Sequence, residues 1–158
     1  MADVAQYEKL SDAALEIIAF HLGDQQFCIK TTSIREIRGW AAATPLPHAP
    51  AHVLGVMNLR GTVIPVIDLA AKLGVRSAID ANRSAIVVAE VRKSIIGLVV
   101  DRVSDILSIG GDRIQPVPDF GIGYDPAFSY GIIPFDQGMV CFLNLDHMFA
   151  AIEFASAA

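Results

Sequence analysis

The sequence predicts an all-β protein, and three features carry that expectation. Its apolar runs are short, about six to eight residues each; turn-forming pairs join them two by two; and no long stretch keeps a helical period. Hairpins repeated at short intervals, without long helices between them, point to small barrels rather than a parallel sheet. No internal repeat is visible in the residues. A chain of 158 residues has room for one folding unit or two small subdomains sharing a core. With 53% hydrophobic and 18% charged residues, that core is expected to be well filled.

Residues 1–14 are polar and Ala-rich and read as a flexible tail, so the domain is expected over 15–154, with 155–158 as a C-terminal tail. Two strand-like runs, 17–22 and 26–30, flank Gly23-Asp24, whose glycine suits a tight hairpin turn. A second hairpin reads over 54–68 with Arg60-Gly61 near its turn, and a third over 85–101 with Arg92-Lys93 at its tip. A fourth joins 130–135 to 139–143 through Asp136-Gln137-Gly138. Between the first two hairpins, Pro45, Pro47 and Pro50 fix φ and remove donors, which makes that segment a loop. Residues 112–126, with three prolines and two glycines, form a second long connection. Leu145, Met148, Phe149 and Ile152 recur at helical spacing behind Asn144 or Asp146 as N-cap, predicting a short closing helix.

Several functions lose support on the same residues. No apolar run approaches the roughly 20 residues of a membrane helix, and the N-terminus lacks a basic region followed by an apolar stretch, so a cytoplasmic protein is expected. The net charge is −5 and the basic residues are scattered, which leaves no footprint for nucleic acid. Cys28 and Cys141 sit inside apolar runs and read as buried, reduced thiols. His48 and His52 have the four-residue spacing of a zinc pair, but Pro47 and Pro50 interrupt any helix there; they read as solvent-exposed loop histidines. The run Gly121-Ile122-Gly123-Tyr124-Asp125-Pro126 begins like a dinucleotide fingerprint, lacks its third glycine and opens no helix. Cys28 with His21 across the first hairpin is a conceivable nucleophile pair, yet it has no orienting carboxylate or oxyanion donor. No catalytic residue, metal or cofactor is expected.

The run from Gly55 to Leu69 carries more information. Arg60 beside Gly61 is either a turn residue in water or a five-donor fork offered to a carboxylate; taken alone, the turn reading prevails. Asn58 and Asp68 are placed to satisfy backbone groups at the turn and at a following short helix. Pro65 within a strand implies an edge or a bulge. Gly97, in a run apolar on both faces, leaves room for a neighbouring strand or for a bound partner.

Asn58-Leu59-Arg60-Gly61 with Ile64-Pro65-Val66 and Asp68-Leu69, preceded by Ile37-Arg38-Gly39 and the proline loop and followed by Gly97 to Val103, resembles the CheW-like domain. The resemblance runs over roughly 17–149. It implies two small five-stranded SH3-like β-barrel subdomains around a shared hydrophobic core, with short helices. It also implies a non-catalytic chemotaxis adaptor, held at membrane-associated arrays, that couples the cytoplasmic tips of methyl-accepting chemoreceptors to the CheW-like regulatory domain of the histidine kinase CheA. By position, Glu36, Arg60, Gly97 and Val103 match receptor-facing residues, while Ile34 and Gly55 match kinase-facing ones. Cys28, Trp40 and Ile133-Pro134-Phe135 depart from the family's habit. Alternatives are a scaffold in a non-flagellar chemosensory pathway, a small barrel enzyme using Cys28, and a ligand-binding barrel.

Overall fold

The computed structural model describes residues 14–75, 83–117, 126–135 and 138–149. Expectations that fall on 1–13, on Gly121 to Asp125, on Asp136-Gln137, on Ile152 and on 155–158 lie outside these residues.

Ten strands follow one another: β1 (Ala14–Leu22), β2 (Gln25–Lys30), β3 (Ile34–Gly39), β4 (Val53–Leu59), β5 (Thr62–Asp68), β6 (Ala85–Val91), β7 (Ser94–Val100), β8 (Arg102–Gly110), β9 (Ser129–Phe135) and β10 (Gly138–Leu143). Short helices α1 (Leu69–Leu73) and α2 (Leu145–Met148) follow β5 and β10. The strands form two five-stranded sheets, ordered β8-β1-β2-β10-β9 and β3-β6-β7-β5-β4. All four expected hairpins are present, and the all-β expectation holds. Strands β3 and β8, which the sequence reading did not anticipate, each form one edge of a sheet.

A repeat that the residues conceal is plain in the topology. Each sheet has the same sequence of pairings, antiparallel throughout except for one parallel pair, β10 with β2 and β5 with β7. The registers superpose residue by residue. Val66 faces Gly97 as Phe142 faces Cys28, Gly55 faces Val66 as Gly131 faces Phe142, and Glu36 faces Val88 as Asp105 faces Ala19. One sheet uses a continuous segment from β3 to β7, the other joins β1 and β2 to β8, β9 and β10. The two halves are thus related by circular permutation, which corrects the expectation of no internal repeat.

The core has three parts, because strands apolar on both faces serve two neighbours at once. Ile17, Ala19, Cys28 and Phe142 fill the inside of the first half, and Ile64, Val66, Ile86, Val88 and Val99 fill the second. The alternate residues, including Ile18, Phe20, Phe27, Val87, Ala89, Leu98 and Val100, meet between the halves with Leu69, Leu73, Leu145 and Met148. Burying a single large side chain of this kind is worth about 1.5–3 kcal/mol, so the shared layer binds the halves into one unit. Equivalent caps hold the helices: Asp68 Oδ1 accepts from Ala71 N at 3.2 Å, and Asn144 Oδ1 from His147 N at 3.1 Å. Asn144, rather than Asp146, is therefore the N-cap of α2.

Each sheet is drawn round on itself by a bridge instead of a closed ladder. The chain leaving β3 crosses to the far edge, where Thr44 and Val56 exchange bonds of 2.8 and 2.9 Å; Gln115, beyond β8, does the same with Ile132 on β9 at 2.8 and 2.7 Å. Glycine is required beneath each bridge. A Cβ on Gly55 would stand 2.0 Å from the Thr44 carbonyl oxygen, and one on Gly131 would stand 2.4 Å from that of Gln115.

The bridge also explains Pro65, whose expected edge position is corrected. Strand β5 lies inside its sheet, between β7 and β4. Pro65 faces Val56, which gives both its backbone groups to Thr44, and the parallel pairing with β7 starts only at Val66. No ladder bond is waiting for a donor at that point.

Candidate functional site

Arg60 occupies the first position of the β4–β5 turn with φ of 51°, in the left-handed region that non-glycine residues seldom enter, and Gly61 follows at 91°. Asn58 Oδ1 accepts from Gly61 N at 2.7 Å. The Arg60 guanidinium then reaches Glu36 on β3, with Nη2 2.6 Å from Oε1. Glu36 and Arg60 belong to opposite margins of the second sheet, which in a flat five-stranded sheet would be about 19 Å apart. Their contact is a second sign of how tightly that sheet curls. The hydrogen bond from Arg60 is the main cause that holds the Glu36 carboxyl below its usual range, and the same bond raises the Arg60 pKa. The Arg60 side chain remains 71% exposed, so most of its five-donor fork stays open to solvent from a fixed base.

Two exposed apolar residues lie close to the pair in the chain. Ile37 beside Glu36 is 44% exposed, and Val63 beside the turn is 65% exposed. The second half therefore exposes a charged fork and two single apolar side chains. The first half has counterparts of the same apolar residues: Ile106 matches Ile37, and Met139 matches Val63, by the registers above. Both are more than half exposed. Glu36 corresponds to Asp105, which makes no ion pair among the described residues.

The remaining residues singled out from the sequence divide into two kinds. Ile34 and Val103 are half-buried against the shared core, each just before a bulge that breaks strand register, and they are equivalent to one another in the two halves. Bulges of this kind re-aim the side chains around them. Gly97 and Gly55 are buried. Gly97 lies under Ile86 Cγ2, 3.0 Å from where a Cβ would stand, so its missing side chain makes room for a neighbouring strand; Gly55 lies under Thr44 and Pro45.

The other candidate sites gain nothing from the geometry. Cys28 faces Ala19 in the register, while His21 faces Gln26 and accepts from its Nε2 at 3.0 Å. Burial, then the nearby Cys141, pushes the Cys28 thiol far above its ordinary pKa, which leaves almost no thiolate to act as nucleophile. Neither cysteine forms a disulfide, and both are buried. His48 is exposed at φ of 60°, but His52 is half-buried, which corrects the reading of both as solvent-exposed. Burial and then Lys72 lower the His52 pKa. Among the described residues no three His, Cys, Asp or Glu side chains gather at metal-binding distance, and no helix is long and apolar enough to cross a membrane.

The sequence matches the family model of the CheW-like domain over residues 16–153. The chain belongs to the CheW-like domain family. Among its CheW-like relatives, the "Probable chemotaxis protein CheW" of Rhizobium etli is 46% identical over 150 residues, covering 95% of this chain and 97% of that one. The "Chemotaxis protein CheW" of Rhizobium meliloti is 46% identical over 144 residues, covering 91% and 93%. The crystal structure of the scaffolding protein TtCheW from Thermoanaerobacter tengcongensis superposes with a TM-score of 0.80 at 29% identity, over 87% of this chain and 88% of that one. The CheW-like match takes in both halves, the shared core, and the Glu36–Arg60 edge together. What the sequence reading missed here is the exposure of Ile37 and Val63; for Val63 the signal was available, an apolar residue preceding the buried run of an expected hairpin strand, while Ile37 lies in β3, whose bulge hid it.

Proposed function

We propose that this chain is a non-catalytic adaptor of chemotaxis that couples the cytoplasmic tips of methyl-accepting chemoreceptors to the CheW-like regulatory domain of the histidine kinase CheA. Membership of the CheW-like family over nearly the whole chain is the observation that carries this reading. Two properties of the molecule agree with it. The buried, protonated Cys28 offers no nucleophile. The exposed surface holds a preset guanidinium and, nearby in the chain, the open apolar residues Ile37 and Val63, features suited to an amphipathic helix or to another barrel edge.

In this reading Arg60 and Glu36 fix the register of a docked receptor helix, and Val103 belongs to the same face. Gly97 acts indirectly, by letting β6 and β7 pack without displacement. Ile34 and the loop held down over Gly55 face the kinase. Recruitment to membrane-associated arrays follows from the partners, with the adaptor itself in the cytoplasm. Individual contacts are modest, because transient signalling interfaces can bury less than about 1,200 Å² and arrays gain strength through multivalency.

Titration calorimetry with a receptor tip fragment and, separately, with the kinase regulatory domain tests the reading. Binding to both is expected. Heat from neither titration would end it.

A further inference from the structure

We infer that Asn58 is the positioning residue of this surface: its bond to Gly61 N sets the direction in which Arg60 leaves the turn, and so forms the Arg60–Glu36 pair. The inference rests on the coupling role proposed above for its link to binding, and on geometry alone for its effect on the pair.

The β6–β7 turn also places an arginine first in a left-handed conformation, with Arg92 at φ of 50° and Lys93 at 69°. Glu90 stands there in the place of Asn58, two residues ahead of the arginine, and its carboxylate is taken by Arg35. The turn thus forms without a side chain accepting from its second residue. In the other half Pro134, which has no side-chain acceptor, holds the position equivalent to Asn58. The β6–β7 hairpin therefore does without the bond that Asn58 makes, and among the described residues only at Arg60 does the bond occur together with an ion pair reaching across the sheet. Arg92, without such a bond, instead donates from Nε to the Asp146 carbonyl of the other half at 3.1 Å.

An acceptor on Gly61 N restricts rotation of the peptide that joins Arg60 to Gly61, and Arg60 Cβ takes its direction from that peptide. Without it the guanidinium samples a wider arc, and an exposed pair worth little in water is readily lost.

The test measures the Glu36 carboxyl by NMR titration of the isolated protein in wild type, Asn58→Ala, Asn58→Ser and Arg60→Ala. In Asn58→Ala the Glu36 pKa is expected to rise towards its Arg60→Ala value with thermal stability little changed; in Asn58→Ser, which keeps a weaker acceptor, it stays nearer wild type. A Glu36 titration in Asn58→Ala indistinguishable from wild type would overturn the inference, as would Ser behaving like Ala. Binding then separates the two claims: affinity for the receptor fragment is expected to fall about three- to tenfold in Asn58→Ala, and no further when Arg60 is already Ala. A shifted Glu36 with unchanged affinity would uphold the positioning role and refute the part given to the pair in coupling.

Discussion

Replacing Gly55 by alanine tests how each sheet is closed. The new Cβ would stand 2.0 Å from the Thr44 oxygen and 2.9 Å from Pro45 N, both backbone atoms that no side-chain rotation can move aside. Residue 55 also has φ of 148°, where an L side chain is strained by roughly 1–3 kcal/mol. Relief requires the 44–45 segment to lift, which gives up the two Thr44–Val56 bonds at about 0.5–1.5 kcal/mol each. Together these make about 2–6 kcal/mol, a large share of the ~5–15 kcal/mol that stabilises a typical domain. At roughly 2–4 °C per kcal/mol for a domain of this size, the melting temperature should fall by about 10 °C. Scanning calorimetry reads that loss, and hydrogen exchange at the Thr44 and Val56 amides reads its cause. Gly39→Ala is the control, since nothing lies within 4 Å of its Cβ. A Gly55→Ala protein melting within about 2 °C of wild type, with both amides still protected, would refute the bridge as the closing element. The consequence for function is direct: binding defects at Gly55 would arise through the loop above it.

Three further outcomes are expected. Phe142→Ala empties the inside of the first half, where the ring packs 5.0 Å from Tyr130, and should cost about 3–5 kcal/mol by denaturant titration. Cys28 should resist a thiol reagent until the protein unfolds, and Cys28→Ala should leave receptor binding unchanged; a lost activity in that variant would revive an enzymatic reading. His52 titrates below its ordinary value of 6.5 when folded, so the unfolded chain takes up the proton first. Its contribution is therefore complete above pH 6.5 and declines as pH falls through that value towards the lower folded pKa, and His52→Gln should flatten this part of the stability profile.

The hairpins were legible because their turns are marked by Gly23, Gly61, Gly138 or an Arg-Lys pair between apolar runs. Strands β3 and β8 were not, because bulges at Arg35 and Ser104 break their period of two and polar residues share both faces. The repeat was hidden twice over. Its halves are permuted in the chain, and equivalent sites hold different residues, such as Gly97 and Cys28 or Glu36 and Asp105. Pro65 misled because its immunity comes from Thr44, a residue distant in sequence whose bonds to Val56 only the fold reveals. At the candidate site Arg60 stood out beside Gly61 as a possible fork for a carboxylate, and Glu36 through the family resemblance; the curl of the sheet brings the two together.

The proposed coupling has one molecule join a receptor tip to the kinase through surfaces built on its two curled sheets. Co-sedimentation of membrane-anchored receptor fragments with the kinase, with and without this protein, measures it most directly. Kinase should pellet only when the adaptor is present, and Arg60→Ala should release much of it while melting within a few degrees of wild type. Kinase that pellets equally without the adaptor, or an Arg60→Ala protein that carries it down as well as wild type does, would contradict the account.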